Sequence, residues 1–364
     1  MLPSPSRLRP LDETLESPRG RAELRLVRET PRAAVLLNAH AKRVGPSVRD
    51  ALLRVVPAED LYYVQSIEEG QAAARAIIDR RYHSLLVGGG DGTITTTINL
   101  LHQAAEARGR RTALPDFGLL KLGTGNGLAN LTGAGKPIED VARLMGGDRP
   151  NARPLRLIED PNTGWVFPFA SMGYDAQVLN DYVDLVRSTK SKAAQVCAKS
   201  LAGYFYAIGT RTIPTELKAQ RAKVRVVATG RASILDPDNG EEIPLELGAT
   251  LFEGHARGVA MGTSPFYGYG LKALPHALRR TDRFHVRVST ASITYLLTHL
   301  PGLWRGDLKT PDFIDFLVES VRVESTEPLP VQMAGDAKGH ARTMEMRLSD
   351  RAIRLLDGTG PALS

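Results

Sequence analysis

The segment LLVGGGDGTITTTINLL, residues 85–101, combines residue types that bind phosphate groups in proteins. Glycines let a ligand approach the backbone without an obstructing Cβ, and consecutive N–H groups at a strand end can cradle phosphate oxygens. Asp91 would repel a phosphate unless a cation lay between them, which favours a Mg²⁺–nucleotide. A turn that only caps a helix would explain a single such loop equally well. The nucleotide prediction covers Gly88, Gly89, Gly90, Asp91, Gly92 and Thr93.

A second loop of the same kind, LGTGNGLAN at residues 122–130, makes nucleotide binding the favoured interpretation of both loops. Here Gly123, Thr124 and Asn126 offer an open backbone, a hydroxyl and a carboxamide. Neither loop contains the GK[ST] of a Walker A motif. Neither is a full GxGxxG after the first strand, which argues against a Rossmann NAD site.

These loops sit in an alternation of short apolar runs and helix-like segments. Residues 33–39, 61–66, 83–89 and 117–123 are predicted strands, and helical spacing follows the first three at residues 46–56, 67–81 and 93–107. That order implies a parallel sheet with helices on both faces. Ligands bind at the carboxyl ends of such strands, where both loops and Asn38 lie.

After about residue 153 the pattern changes to strands joined by Gly and Pro turns. We therefore predict an α/β protein in which a parallel-sheet nucleotide-binding domain is followed by a mainly antiparallel β-sandwich domain. The predicted organisation is a disordered tail at 1–30, a nucleotide domain at 31–155, and a β-rich domain at 156–342 with a helical insertion at 181–209. Residues 343–364 would return to the first domain.

The composition limits the kinds of molecule that the protein is expected to bind. The formal net charge of +7 and the pI of about 9.5 suit anionic partners such as nucleotide phosphates or acidic lipid headgroups. No nucleic-acid-binding motif is present, so no nucleic acid is expected. A single cysteine, Cys197, excludes an internal disulfide and favours a cytoplasmic setting; we expect it in the core. No apolar run approaches the length of a membrane span.

Taken with these loops, the sequence resembles the diacylglycerol kinase catalytic-domain family, which includes bacterial lipid kinases, sphingosine kinases and ceramide kinases. GGGDGT at 88–93 is similar to the family's nucleotide loop, and GTGN at 123–126 to its GTxN motif. SMGYDAQV at 171–178 looks like the segment that opens the second domain, and residues 268–286 look like a further family stretch. NAD kinases and phosphofructokinases share the first motif alone, so the ordered set, over residues 32–357, is the specific signal.

The resemblance implies an NAD kinase/diacylglycerol kinase-like fold, the cofactors ATP and Mg²⁺, and a lipid substrate. It also implies that Asn38 and Ser66 line the nucleotide site. In the family the glutamate of a late DGE motif activates the acceptor hydroxyl. The matching triplet here is Ala334-Gly335-Asp336, so Asp336 becomes the candidate general base, one methylene shorter than Glu. A polar turn without chemistry is the alternative.

Other positions also depart from the family pattern. Gly127 stands where an acidic residue usually follows GTxN, and Arg283 replaces the glycine of a DG pair that helps to hold a structural magnesium in bacterial members. The acidic residues that remain for metal binding are Asp91 and Asp282. Asp91 is also expected to take part in catalysis by organising magnesium or the acceptor.

The insertion has both basic and apolar residues, which are Arg187, Lys190, Lys192, Lys199, Val196, Leu201, Phe205 and Ile208. Such a surface could lie on an anionic membrane, which would make the protein cytoplasmic and peripherally membrane-associated. A helix pair packed on the second domain is the alternative.

The leading hypothesis is an ATP-dependent lipid kinase that phosphorylates a hydroxyl of a diacylglycerol-like or sphingoid lipid. A catalytically silent nucleotide- and lipid-binding protein is the second hypothesis, prompted by the altered triplet. An NAD kinase-like enzyme is the third, and it lacks the Asn-Glu pair that NAD binding would require after the glycine loop. A homodimer is one option for the oligomeric state.

Overall fold

A computed structural model describes residues 32–109, 114–123, 125–189, 191, 200–218 and 222–360. Residues 31–364 form one compact unit. Within it we distinguish an N-terminal lobe, built on the first four strands, from a C-terminal lobe that contains the remaining strands. The domain boundary at residues 155 and 156 stays a prediction.

The N-terminal lobe is a parallel sheet of four strands in the order β2-β1-β3-β4. These strands are β1 (Ala33–Asn38), β2 (Leu61–Val64), β3 (Ser84–Gly89) and β4 (Asp116–Lys121). The central strands β1, β3 and β4 are buried along most of their length, as expected for parallel strands covered on both faces. Their carboxyl ends meet at one edge of the sheet.

Among the described residues, the α-helices that accompany this sheet are α1 (Pro46–Leu52), α2 (Ile67–Asp79), α3 (Asp91–Glu106), α4 (Gly127–Leu131) and α5 (Pro137–Met145). Apolar side chains of α2 and α3 form a core with one face of the sheet, and those of α1 and α5 form a core with the other. The predicted α/β class with a parallel N-terminal sheet is therefore confirmed.

The C-terminal lobe is built from antiparallel strands, also as predicted. Its strands are β5 (Ala152–Glu159), β6 (Val166–Phe167), β7 (Phe169–Gly173), β8 (Lys223–Ala228), β9 (Ala232–Leu235), β10 (Glu242–Leu245), β11 (Thr250–His255), β12 (Gly258–Gly262), β13 (Phe284–Ser289), β14 (Phe313–Val318), β15 (Ser320–Met333) and β16 (Asp336–Leu356). One half of β15 pairs with β8 and the other half with β7, so a single apolar core collects side chains from both branches.

Two helical regions of this lobe differ from the sequence predictions. A helix begins directly at Tyr174, within the part of the chain for which the sequence predicted strands, because Gly173 ends β7 at a φ of 115° that a side chain would not tolerate. The first region contains α6 (Tyr174–Ser188), α7 (Leu201–Ala207), a π-helical turn (Ile208–Thr212) and α8 (Ile213–Lys218). The second, α9 (Ile293–Thr298) and α10 (Leu300–Arg305), was not predicted.

The last strand connects the two lobes. β16 starts beside the end of β15, pairs along β15 and then along β5, and finally reaches β4, where Leu355 pairs in parallel with Phe117. Its two ends therefore lie in different lobes.

Candidate active site

The two glycine loops touch each other through their backbones. β3 and β4 are neighbours in the sheet, so the loops that leave them emerge side by side. A Cβ atom placed on Gly123 would lie 2.2 Å from Cα of Gly90. No side chain fits in that space, which explains the glycine at position 123 and fixes the two loops as one surface.

Asp91 joins the loops. It is the first residue of α3, and its carboxylate accepts hydrogen bonds from the backbone N–H groups of Gly127 (2.8 Å) and Leu128 (3.0 Å). These are the first two residues of α4, so Asp91 caps the N-terminus of a helix that belongs to the other loop. Burial raises the pKa of the Asp91 carboxyl, and the two N–H donors offset part of that effect. The geometry gives Asp91 a structural task; its roles in metal binding and catalysis stay predictions.

The close approach of a third loop, which contains Phe266 and Tyr269, requires glycine at position 127. A Cβ on Gly127 would lie 2.7 Å from the carbonyl oxygen of Phe266, and the N–H of Tyr269 donates to the carbonyl of Gly125 at 2.9 Å. An acidic side chain at position 127 would collide with this loop. The departure from the GTxND pattern is thus explained by close packing.

Asn126 holds its own loop in shape. It adopts a left-handed conformation with φ of 57°, and its carboxamide accepts from the N–H of Gly123 (3.1 Å) and donates to the carbonyl of Gly123 (2.9 Å). Thr124, the hydroxyl predicted to contact phosphate, lies outside the described residues.

Of the remaining residues that are predicted to bind the nucleotide, most line the cavity described below, and two lie behind its surface. Asn38 donates to the hydroxyl of Thr93 at 2.9 Å, and the Ser66 hydroxyl caps α2 by accepting from the N–H of Glu69. The residues that line the cavity described below are Asn38, Ser66, Gly90, Asp91, Gly92, Thr93 and Gly123. Gly88 and Gly89 lie behind this surface, where a Cβ would meet Leu37 and Thr93, respectively.

Asp336 reaches the loops from the far end of the chain. The hairpin between β15 and β16 has a two-residue turn, Ala334-Gly335, with φ of 52° and 82°, and Met333 pairs with Asp336 across it. Positive φ at both positions is typical of a type I′ turn. A Cβ placed on Gly92 would lie 3.1 Å from Asp336 Oδ1, so the carboxylate lies against the first turn of α3. Asp336 is exposed as a whole residue, but desolvation of its carboxyl raises its pKa, and the charge of Lys338 lowers it in part.

One cavity of about 760 Å³ extends from these loops into the C-terminal lobe. Its far part, which we call the apolar chamber, is formed by the two helical regions of that lobe. The chamber residues are Val178, Leu179, Phe205, Ile208, Ile293, Leu296, Leu297, Leu300, Leu303 and Trp304. The two glycine loops, a carboxylate and an apolar chamber therefore share one continuous space.

Asp175, which the sequence reasoning missed, also lines this cavity. It stands in the first turn of α6, one turn before Val178, and Tyr267 beside it precedes the loop that touches Gly125. Burial raises the pKa of Asp175, an effect that the nearby Ser171 hydroxyl, the Ala176 backbone and the Tyr267 hydroxyl partly oppose. Neither carboxylate oxygen has a hydrogen bond of standard geometry among the described residues. Its position after β7, at the carboxyl end of a strand, was the available signal.

Asp282 does not join this site. Its carboxylate accepts two hydrogen bonds from Arg280 (2.9 and 3.2 Å) and lies 3.8 Å from Arg231. The hydrogen bonds from Arg280 foremost, and the charge of Arg283, lower the pKa of Asp282, although partial burial opposes them. A dication would compete with two guanidinium groups here, so the surroundings do not fit a magnesium ion. Within the described ranges, no group of three or more His, Cys, Asp or Glu side chains is arranged to hold a metal.

The helical insertion faces inward with part of its apolar side. Phe205 and Ile208 line the apolar chamber, whereas Tyr206 is 61% exposed and Arg187 is exposed. The predictions for Lys190, Lys192, Val196, Cys197 and Lys199 fall outside the described residues, as does the side chain of Leu201. No helix in the described ranges combines the length and the hydropathy that crossing a membrane would need.

Comparison with known proteins identifies a family whose model matches the N-terminal part of the chain. Residues 32–156 match the family model of the diacylglycerol kinase catalytic domain, which confirms the resemblance predicted from the glycine loops. A crystal structure provisionally described as a diacylglycerol kinase from Bacillus anthracis str. Sterne superposes with a TM-score of 0.61 at 16% identity, covering 91% of this chain and 98% of that chain. A structure of a diacylglycerol kinase from the same organism gives 0.57 at 12% identity, with coverages of 91% and 98%. These likenesses show the fold. No curated protein matches the sequence.

Proposed function

We propose that the protein is an ATP-dependent lipid kinase, which transfers the γ-phosphoryl group of ATP to a hydroxyl of a diacylglycerol-like or sphingoid lipid. The observation that carries this proposal is the continuity of the cavity. Glycines of both loops line one part of it, Asp336 and Asp175 line it as well, and the chamber residues form its apolar part. A phosphate donor and a molecule with a long apolar part would meet at the carboxylates.

The nucleotide end suits a triphosphate. Gly90, Gly92 and Gly123 expose their backbone to the cavity, and Lys42 contributes a positive charge to the same lining. ATP would arrive with Mg²⁺, which neutralises phosphate charge. Kinases hold this ion through substrate phosphates and one or two carboxylates. Asp91 is the carboxylate that lines this end, and it would be the protein's ligand to that ion.

In the proposed reaction Asp336 removes a proton from the acceptor hydroxyl. The acceptor oxygen forms a bond to the γ-phosphorus, the bond between that phosphorus and the β,γ-bridging oxygen breaks, and ADP leaves. A carboxylate whose pKa is raised by burial is a stronger base than one in water. Asp175 would orient the lipid headgroup by accepting a hydrogen bond from a second polar group, so that the reacting hydroxyl lies in line with the phosphate.

The lipid would be taken from an anionic membrane surface, with the protein bound peripherally on the cytoplasmic side. The support is the proximity of the exposed Tyr206 and the partly buried Arg211 to Phe205 and Ile208, which line the apolar chamber. An aromatic ring and a cation beside a lipid channel suit a headgroup region. Cosedimentation with vesicles should be stronger with anionic than with zwitterionic lipid and should weaken in high salt. Equal recovery with both vesicle types would count against this part of the proposal.

The deciding experiment is transfer of ³²P from γ-labelled ATP, with Mg²⁺, to diacylglycerol, monoacylglycerol, sphingosine and ceramide in mixed micelles. Asp336→Asn runs in parallel. A labelled lipid that is absent with the mutant supports the kinase and identifies the acceptor class. A labelled lipid that persists with the mutant keeps the kinase and removes Asp336 from the role of base.

A catalytically silent binding protein is the second candidate. Two observations favour it: both oxygens of Asp91 already accept backbone hydrogen bonds, and Ala334 stands where the family has an acidic residue. Protein that binds ATP and lipid by calorimetry but labels no lipid would support this candidate.

A further inference from the structure

Gln332 and Ser171 connect the turn that carries Asp336 to the strand that leads to Asp175. They are directly paired residues on the antiparallel strands β15 and β7, and their side chains are buried. The Gln332 Nε2 group donates to Ser171 Oγ at 2.9 Å, and Gln332 Oε1 accepts from the N–H of Gly335 at 2.9 Å. One buried carboxamide therefore holds the Ala334-Gly335 turn against β7.

The direction of this connection follows from its chemistry. The backbone N–H of Gly335 can only donate, so the carboxamide oxygen of Gln332 must face it and the NH₂ group must face Ser171. Ser171 then accepts from Gln332 and keeps its own hydrogen for another group. A charged candidate for that hydrogen is the Asp175 carboxylate, whose pKa the Ser171 hydroxyl lowers.

We infer that Gln332 is a positioning residue, which fixes Asp336 over Gly92 and, through Ser171, couples the placement of Asp336 to the occupation of Asp175 by the acceptor headgroup. This inference rests on the proposed lipid kinase function. The turn has one further tie to β7, the bond from the Ala334 N–H to the Phe169 carbonyl. That bond holds the start of the turn, whereas Gln332 holds Gly335, the residue next to Asp336.

Gln332→Met tests the inference because methionine keeps the volume and loses both hydrogen bonds. We expect kcat to fall about 10- to 100-fold, the cost of a reacting group displaced by up to 1 Å, while the Kd for ATP stays unchanged. Asn99→Leu is the matched control. Asn99 is buried, as Gln332 is, and its carboxamide forms hydrogen bonds with Thr95 in its own helix and with Val166 in β6. It does not line the cavity. Its loss should reduce stability and leave kcat unchanged.

Two further measurements distinguish positioning from simple destabilisation. Combining Gln332→Met with Asp175→Asn should be less than additive in kcat, since the first change already uncouples Asp175. Gln332→Glu keeps an acceptor for the Gly335 N–H, so its kcat should be closer to wild type than that of Gln332→Met. Fully additive effects, or equal losses in the Glu and Met variants, would overturn the inference.

A readout without turnover separates this inference from the proposed function. The Asp336 carboxyl can be titrated by NMR with ¹³C-carboxyl aspartate, its signal being assigned by its loss in Asp336→Asn. The charged group that acts on Asp336 is Lys338 on its own strand, and the first turn of α3 lies against the carboxylate through Gly92. In Gln332→Met the loosened turn should hydrate the carboxyl and lower its pKa. If wild type labels no lipid but this shift occurs, the positioning role stands and the kinase proposal fails; an unchanged titration together with wild-type kcat refutes the positioning role.

Discussion

Asp336 Oδ1 lies 3.1 Å from the point where a Cβ on Gly92 would be, although the two residues belong to different lobes. The candidate base thus occupies the space that a missing side chain leaves on the nucleotide loop. Gly92 lies in the first turn of a helix, with no left-handed φ to require glycine. The close approach of Asp336 is the physical reason for glycine at this position.

Gly92→Ala should therefore separate stability from activity. Alanine is favoured over glycine in a helix by about 1 kcal/mol, so the free energy of unfolding should not fall. The added methyl group should push Asp336 away by a few tenths of an ångström and reduce kcat severalfold or more. Gly209→Ala, a change into open space, is the control. Urea denaturation and steady-state kinetics on both variants check the prediction, and unchanged kcat in Gly92→Ala would contradict it.

Removing the base should have a larger effect. Asp336→Asn keeps the shape and loses proton acceptance, so kcat should fall by about 10²–10⁴-fold with little change in ATP affinity. Asp336→Glu restores the residue type of the DGE motif and should retain measurable activity. Initial rates with the best lipid acceptor, together with ATP binding by calorimetry, provide the test. Equal activity of wild type and Asn variant would exclude Asp336 as base.

The pH dependence of kcat/KM should report the raised pKa of Asp336. A general base works when deprotonated, so activity should rise with pH through a pKa above the ordinary aspartate value. The charge of Lys338 lowers this pKa, and Lys338→Gln should therefore move the acidic limb of the profile to higher pH while leaving the plateau unchanged. Lys309→Gln, an exposed change elsewhere, should leave the profile in place. A limb that moves to lower pH in Lys338→Gln would show that another group titrates.

Asp91→Asn should damage the fold and the nucleotide site together. The amide can accept one of the two backbone hydrogen bonds, and the other buried N–H loses its partner at a cost of about 1–3 kcal/mol. The matched control is Asp140→Asn, because Asp140 also accepts two backbone hydrogen bonds, from Gly135 and Thr359, but does not line the cavity. Both variants should unfold at lower urea, and only Asp91→Asn should bind ATP more weakly. Equal ATP affinity in the two would confine Asp91 to a structural task.

Asp282→Asn tests the predicted metal role against the ion pairs. The carboxylate is partly exposed, so losing its contacts with Arg280 and Arg231 should cost no more than about 1 kcal/mol of stability. The Mg²⁺ concentration for half-maximal activity should not change. A higher Mg²⁺ requirement in this variant would restore Asp282 as a metal ligand.

The sequence predicted the adjacency of the two glycine loops well because the relevant physics is local. Alternating strands and helices imply a parallel sheet, and such a sheet brings the ends of neighbouring strands together whatever the rest of the chain does. The neighbourhoods of Gln332 and Asp282 could not be predicted in this way. Gln332 meets Ser171 across 161 residues of sequence, and Asp282 meets Arg231 through strand pairing that no local pattern encodes.

The missed helices α9 and α10 have a similar explanation. Their sequence, ITYLLTHLPGLWR, contains a proline and a glycine that usually mark a loop. The proline lies at the start of α10, where its missing N–H costs nothing, and the apolar side chains of both helices are stabilised by the chamber they line. Tertiary packing, rather than the local sequence preference, therefore determines that this segment is helical.

Strand β16 both carries Asp336 and reaches the N-terminal lobe, and this has a consequence for how the chain matures during its synthesis on the ribosome. Both glycine loops leave the ribosome long before Asp336 does, and the strand that carries Asp336 is anchored by pairing with β5 and β4, which are also made much earlier. A nascent chain therefore carries both glycine loops before it carries the candidate base. Contacts between residues so distant in sequence cost loop-closure entropy, and we expect the contact between Asp336 and Gly92 to form late in folding. Catalytic competence would then appear only when the last strand docks, which ties activity to a finished molecule.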